Sequence, residues 1–356
     1  MMTDGGQHPD MPDALRELGL NEAVLGVFAP LGEQGMQLGR VVRVDRGLPL
    51  VHTSKDGAVR AEPAPHLARA AERAGNRAAV GDWVALGRPE GHEAHVIEAI
   101  LPRSSAFVRK DPGERTGEQV VAANIDTVLV VQVAVREPNL RRLERELVLA
   151  WDSGARPVVV VSKIDAFDGD RADLLDQLRA AAPGCDVLLT SGTAGEGIGD
   201  VRAQLPAGTT GALLGASGVG KSTLVNALVG ERVQETREVR EADGKGRHTT
   251  VAREIVTIPG AGAIIDTPGL RALALWDVER GMSLAFADIE ELAAACRFRD
   301  CAHVDEPGCA VRQAIAEDGL PGRRLESYLD LRAELDELAR RRERQAWQRK
   351  DGGQRR

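Results

Sequence analysis

The sequence predicts an α/β protein with a β-rich N-terminal domain, a nucleotide-binding sheet and a helical C-terminal segment. Three observations predict it. Short strands divided by turns fill residues 37–110. From about Val121, apolar runs alternate with helical segments. A phosphate-loop motif sits between one such run and a helix. Repeated strand–helix units imply a parallel sheet with helices on both faces.

The bulk numbers agree. The 356 residues are 43% hydrophobic, 28% charged and only 3% aromatic, so Val, Leu, Ile and Ala must fill the core. At roughly 100–200 residues per domain, this length holds two or three domains. No apolar run is long enough to cross a bilayer, and Met1 to Asp13 lack the apolar stretch of a secretory signal. Three of the four cysteines crowd at Cys296, Cys301 and Cys309, a poor disulfide framework that suits a reducing compartment. The expected setting is the cytoplasm, with no membrane partner. The net charge of −8 hides two basic flanks. Residues 37–110 hold twelve basic and eight acidic side chains, and residues 340–356 hold eight and two. Such asymmetry fits a protein that grips a polyanion with its ends, the plain alternative for the tail being a solvated helix face.

Taken in order, residues 1–36 are punctuated by Gly and Pro and read as a flexible lead-in. Gly39 to Val44, Gly81 to Leu86 and His95 to Ile100 read as strands, and short strands between turns suggest an OB-type barrel over 37–110. Arg109 to Glu118 reads as a connector. Thr127 to Ala134 and Arg156 to Val161 are continuous apolar runs, as strands buried on both faces should be. Asp186 to Leu189, Gly211 to Leu214 and Ala263 to Ile265 are further strands. Asn139 to Trp151 and Arg171 to Ala182 are helical. Beyond Arg271 only helices are expected, with Leu325, Tyr328, Leu331, Leu335 and Leu338 as an apolar stripe.

Gly215-Ala-Ser-Gly-Val-Gly-Lys-Ser222 matches G-x-x-x-x-G-K-[ST]. Gly215, Ser217, Gly218, Val219 and Gly220 supply a loop whose N–H groups turn toward phosphates. Lys221 adds a point charge, Ser222 a Mg²⁺ ligand, and the helix from Thr223 its dipole. Asp266-Thr-Pro-Gly269 follows a strand, which places Asp266 at the second Mg²⁺ position and Gly269 beside the γ-phosphate. Ser162-Lys-Ile-Asp165 resembles the guanine-reading motif. Asp165 accepts from the guanine N1–H and amine, the Lys163 stem covers the base, and Ser162 replaces the usual Asn or Thr. Thr190-Ser-Gly-Thr193 resembles the loop that meets guanine O6, through Ser191 and Gly192. These motifs fall at the carboxyl ends of strands, where open α/β sheets bind ligands. Their order is permuted, because the base-reading motif precedes the phosphate loop. Cutting an ordinary GTPase before its fourth core strand and joining the old ends gives this order.

On these motifs, with Gly246-Arg-His-Thr-Thr250 and Cys296-Arg-Phe-Arg-Asp-Cys-Ala-His303, the chain resembles the ribosome small-subunit-dependent GTPase A family. The resemblance implies an OB-type β-barrel (37–110), a circularly permuted P-loop GTPase domain (111–275) and a zinc-binding helical domain with a basic tail (276–356). It implies hydrolysis of GTP to GDP, stimulated by the small ribosomal subunit, and a role in late maturation of that subunit through its rRNA. A monomer is expected. Switch I would lie around Lys245 to Thr250, with Thr249 or Thr250 sensing Mg²⁺ and the γ-phosphate. Leu270 stands where related enzymes orient water with Gln, so His248 becomes the candidate for that task.

Cys296, Cys301, His303 and Cys309 have the spacing C-x₄-C-x-H-x₅-C, three thiolates and an imidazole for closed, structural Zn²⁺. Two rivals stay open on the residues alone. One is a P-loop ATPase or metabolic kinase, which Asp165 disfavours. The other is an RNA-binding scaffold holding nucleotide only as a structural ligand. For that rival, stacking aromatics are few, with Trp83 and Phe107 the obvious ones.

Overall fold

The computed structural model describes residues 13–45, 48–74, 77–88, 94–110, 118–230, 254–266 and 278–353. The chain divides into two compact units. One takes residues 1–135, 153–168 and 186–273, the other 136–152, 169–185 and 274–356.

In the first unit, the expected lead-in carries two helices, α1 (Asp13–Arg16) and α2 (Glu22–Glu33). Asn21 caps α2 by accepting from Val24 N at 3.1 Å. Pro30 lies inside this helix and hid it from a periodicity reading. Leu15, Leu18 and Leu20 are buried. The barrel follows as β1 (Gln37–Asp45), β2 (Leu48–Thr53), β3 (Gly57–Pro63), α3 (Pro65–Ala74), β4 (Trp83–Gly87) and β5 (His95–Ile100). The strands run in the order β1-β2-β3-β5-β4, and β4 pairs back onto β1, closing five strands. Val41, Val51, Ala61, Val84, Leu86 and Ile97 fill the interior. At Gly39 a Cβ would lie 2.4 Å from Val51 Cγ1, so the wall there admits no side chain. Trp83 and Phe107 are only 2% and 3% exposed, which removes both as stacking surfaces. Trp83 lies on the strand phase opposite Val84 and Leu86, and the Arg40 guanidinium covers its ring.

On either side of the expected connector, whose residues 111–117 lie outside the described residues, β6 (Ala106–Lys110) and β7 (Glu118–Ala123) form an antiparallel ribbon. The chain then alternates through β8 (Thr127–Val133), α4 (Leu140–Asp152), β9 (Arg156–Ser162), α5 (Arg171–Ala181), β10 (Asp186–Leu189), α6 (Ile198–Ala203), β11 (Thr210–Leu214), α7 (Lys221–Val229), β12 (Glu254–Thr257) and β13 (Ala263–Asp266). Strand order is β10-β9-β8-β11-β13-β12, parallel except for β12. The strands that come first in the chain thus lie on one side of β11 and the last two on the other, which is the permutation in three dimensions. Val128 to Val131 and Val158 to Val161 are fully buried, as a sheet covered on both faces requires.

β1 bends at a bulge between Val41 and Arg43, and Arg43 pairs with Glu254 of β12. Barrel and sheet therefore share one continuous ladder of eleven strands. Arg40, 1% exposed, fastens the junction. It donates to Thr210 Oγ1 (2.7 Å), Asn124 O (3.0 Å), Gly81 O (3.3 Å) and Leu18 O, and its guanidinium lies 4.7 Å from the Trp83 ring centroid. Burial pulls its pKa down to about 10, with Asp126 and Asp82 opposing.

In the second unit, α4 and α5 join α8 (Glu279–Ala285), α9 (Ala287–Ala293), α10 (Ala310–Ala316) and the 32-residue α11 (Gly322–Gly353). Arg324, fully buried, is the hub. It clasps Asp288 with two bonds of 2.8 and 2.9 Å and donates to Glu144 Oε1 (2.9 Å), Ala181 O (3.2 Å) and Ala285 O (2.6 Å). Its guanidinium stacks 4.4 Å from the Phe286 centroid. Burial weighs against this charge, and Asp288 and Glu144 more than offset it.

Candidate functional site

The phosphate loop leaves β11 through Gly215, whose φ of +143 and close approach to Val131 leave no room for a side chain. A Cβ there would lie 2.4 Å from the Val131 carbonyl oxygen. Gly218 and Gly220 also have positive φ, and Gly220 opens α7. This path presents successive N–H groups to the helix N-terminus, as anion binding requires. Val219 is buried while Ser217 and Gly218 are exposed, so the loop is anchored by one apolar side chain. Lys221 Nζ donates to Gly215 O at 2.8 Å and to Ala216 O, within the loop it is to serve.

The base-reading segment is bonded directly to this loop. Ser162, at the end of β9, shares its hydroxyl proton between Gln132 O (2.9 Å) and Val219 O. Lys163 adopts φ +61, and its Nζ donates to Gly218 O at 2.9 Å. A non-glycine residue in that region is uncommon and holds only where its surroundings over-determine it. Here the Ile164 N–H bonds Thr190 O (3.1 Å) and Thr190 N bonds Val161 O (2.7 Å), tying the two guanine-side loops together. The Ser191 hydroxyl, then the Thr193 hydroxyl, hold the Asp165 carboxyl below its ordinary range. Thr193 Oγ1 donates to Asp165 at 3.3 Å and lies 3.1 Å from Ser191 Oγ. Thr193 is a site residue that the sequence reading left out of the set, although a second hydroxyl two positions after Ser191 was the signal. Gly192 lies against α7, where a Cβ would come 3.0 Å from Thr223 Cγ2.

Asp266 ends β13. Ala212 and Ile265 are paired in parallel register, so the phosphate loop and Asp266 emerge at the same edge. Ser222, in the first turn of α7, and Asp266 offer a hydroxyl and a carboxylate, the donors Mg²⁺ prefers. Gly269, His248, Thr249 and Thr250 lie outside the described residues.

The cysteine cluster is assembled in the second unit. The ligand atoms of Cys296, Cys301, His303 and Cys309 all lie within 4.8 Å of one another. Zn–S bonds of about 2.3 Å and Zn–N bonds of about 2.05 Å in a tetrahedron put sulfurs about 3.8 Å apart and sulfur and nitrogen about 3.6 Å apart. Cys296 Sγ is 3.9 Å from Cys309 Sγ, and His303 Nδ1 is 3.7 and 3.4 Å from those two sulfurs. The donor set fits Zn²⁺. Burial works against a Cys296 thiolate, but the N–H groups of Ala310 and Val311 outweigh it and lower its pKa. Glu306 braces the turn by accepting from the N–H groups of Ala302, Val304 and Asp305.

Fold and site together define a P-loop GTPase with a circularly permuted sheet. The RsgA GTPase family model matches residues 100–276. The small ribosomal subunit biogenesis GTPase RsgA of Streptomyces coelicolor is 45% identical over 338 residues, 94% of this chain and 89% of that protein. That of Methanosarcina acetivorans is 43% identical over 270 residues, 76% and 73% of the two chains. YjeQ from Thermotoga maritima superposes with a TM-score of 0.64 at 26% identity, covering 84% of this chain and 98% of that one. YloQ, described as a circularly permuted GTPase, shares the fold at a TM-score of 0.62 and 24% identity, with 85% of this chain and 96% of that one covered. The chain belongs to the RsgA GTPase family.

Proposed function

We propose that this chain is a small-subunit biogenesis factor that hydrolyses GTP to GDP and phosphate when it meets the small ribosomal subunit and its rRNA. The observation that carries the nucleotide reading is the pair of bonds from Ser162 and Lys163 to Val219 O and Gly218 O. They fix the guanine-reading segment against the phosphate loop, so base identity and phosphate position are read by one rigid piece.

In this reading Asp165 accepts from the guanine N1–H and amine, with Ser191 and Gly192 beside O6. The loop Gly215 to Gly220 holds the phosphates through N–H groups, and Lys221 turns from its carbonyl partners to the β- and γ-phosphates. Ser222 and Asp266 would hold Mg²⁺, which offsets charge on the transferring phosphoryl group when bound. Thr223 and Gly269 complete the phosphate contacts. Thr249 or Thr250 senses the γ-phosphate, and His248 orients the attacking water. A barrel over 37–110, a GTPase domain over 111–275 and a zinc domain over 276–356 would act as a cytoplasmic monomer. The basic flanks support an rRNA partner.

The test is GTP hydrolysis with and without purified small subunits, beside Lys221→Ala. A slow basal rate that subunits raise strongly, and that Lys221→Ala abolishes, is expected. Equal rates with and without subunits would remove the ribosome from the reading.

A further inference from the structure

Phe298 is a large aromatic side chain left 41% exposed. It sits in the turn that carries the candidate zinc ligands, two residues after Cys296 and three before Cys301, with Arg297 and Arg299 on either side in sequence, both exposed. The turn is rigidly built. Arg297 N bonds Gly308 O at 3.1 Å, and the Arg297 stem lies over Gly308, where a Cβ would come 3.0 Å from Arg297 Cβ. The Arg297 guanidinium carbon lies 5.5 Å from the Phe298 ring centroid. Val304, 54% exposed, belongs to the same turn. A large apolar ring is thus held partly in water between two candidate zinc ligands, with a guanidinium beside it.

We propose that Phe298 is a stacking platform for an unpaired RNA base, with Arg297 and Arg299 contacting the phosphates on either side of that base. The chemistry favours RNA over an apolar protein pocket for two reasons. First, the ring lies between exposed arginines, which complement a phosphate backbone and would be costly to desolvate in an apolar pocket. Second, aromatic faces and guanidinium planes are the surfaces on which single-stranded RNA bases stack. With Arg297 near the ring, a base adds a further layer to a cation–π pair, and the metal ligands supply the preorganisation that lowers the entropy cost of binding. The aromatics that the sequence offered for this task, Trp83 and Phe107, are buried, so Phe298 takes their place.

This inference rests on the small-subunit reading. The test uses full-length, zinc-loaded protein with a non-hydrolysable GTP analogue, and measures its dissociation constant for purified small subunits across a range of salt. Zinc content and thermal melting are checked for each variant. Phe298→Ala is expected to weaken binding by about 5- to 150-fold, the range for loss of one stacked base. The salt slope should stay unchanged. Phe298→Trp should keep wild-type affinity, and Phe298→Leu should behave like Phe298→Ala. Arg299→Gln should lower the salt slope by about one. Wild-type affinity in Phe298→Ala would overturn the proposal while leaving the small-subunit reading intact. Wild-type affinity in Phe298→Leu alone would overturn it in favour of an apolar pocket on a ribosomal protein. Failure of the unmutated protein to bind subunits is a different outcome, and overturns the reading beneath.

Discussion

Replacing Arg324 with Met keeps the length of the side chain and removes its charge. Glu144 is then left 1% exposed, with Oε2 already lacking a hydrogen-bond partner and its remaining cation, Arg323, 3.9 Å away. Asp288 loses a two-pronged clasp, and the carbonyls of Ala181 and Ala285 lose a donor. Breaking a buried pair by removing one partner costs about 3–5 kcal/mol, chiefly the penalty of the stranded charge. Because 1.4 kcal/mol is a factor of ten, amides of α4 and α11 that exchange through opening of this unit should exchange about 150- to 4000-fold faster. Hydrogen exchange read by mass spectrometry on zinc-loaded protein measures this directly. Adding Glu144→Gln removes the stranded charge and should return 1 kcal/mol or more, a coupling typical of contacting residues. Less than about 1 kcal/mol for Arg324→Met, or strict additivity in the double variant, would refute the argument that the ion cluster organises the unit.

Ser162→Ala removes one hydroxyl proton from two buried carbonyls. GDP affinity should fall about fivefold, or roughly 1 kcal/mol, by equilibrium titration, and unchanged affinity would show that Ser162 carries none of the coupling. Asp165→Asn should shift preference from guanosine to xanthosine nucleotides, read by competition binding. The Asp165 carboxyl is held below its ordinary range by the hydroxyls of Ser191 and Thr193, so its folded pKa is depressed and the ionised form persists as pH falls through the usual Asp range. Guanine affinity should therefore stay flat from pH 8 to about 5 and fall only below the unfolded Asp value near 3.9, with Ser191→Ala moving that fall upward. Chelation of the metal, or Cys309→Ser, should take zinc from one per chain to none by elemental analysis and speed exchange across 294–310, because a closed zinc site contributes folding energy outright.

The nucleotide site was legible because its chemistry is local. Glycines at fixed spacing, a lysine and a strand on one side specify the phosphate loop without reference to the rest of the chain. The cysteine turn was legible for the same reason. What escaped depends on partners distant in sequence. β2, β3 and β12 are short, and charged residues or Pro49 interrupt their alternation, so only pairing with neighbours reveals them. The role of Ser162 was equally hidden. Its short side chain stands where Asn or Thr is usual, and Val219 approaches closely enough for a single hydroxyl to serve. Trp83 and Phe107 misled because what buries them lies elsewhere in the chain, the Arg40 guanidinium over the Trp83 ring for one. Arg40 gave no sign in sequence that it would be buried, since its acceptors come from residues 18, 81, 124 and 210.

The pairing of Arg43 with Glu254 bears on solubility. In an open sheet the outermost strand is a template for another chain, and proteins blunt such edges with charge, brevity or cover. β12, four residues long, would be that strand here. Joining it to β1 at Arg43, and closing β1 through β5 on themselves, shortens the edge left to recruit on that side. Among the described strands the sheet's other border is β10, also four residues long and opened by Asp186, which is ion-paired to Arg156 at 3.2 Å. The barrel thus doubles as a guard against strand-to-strand aggregation for the nucleotide-binding sheet.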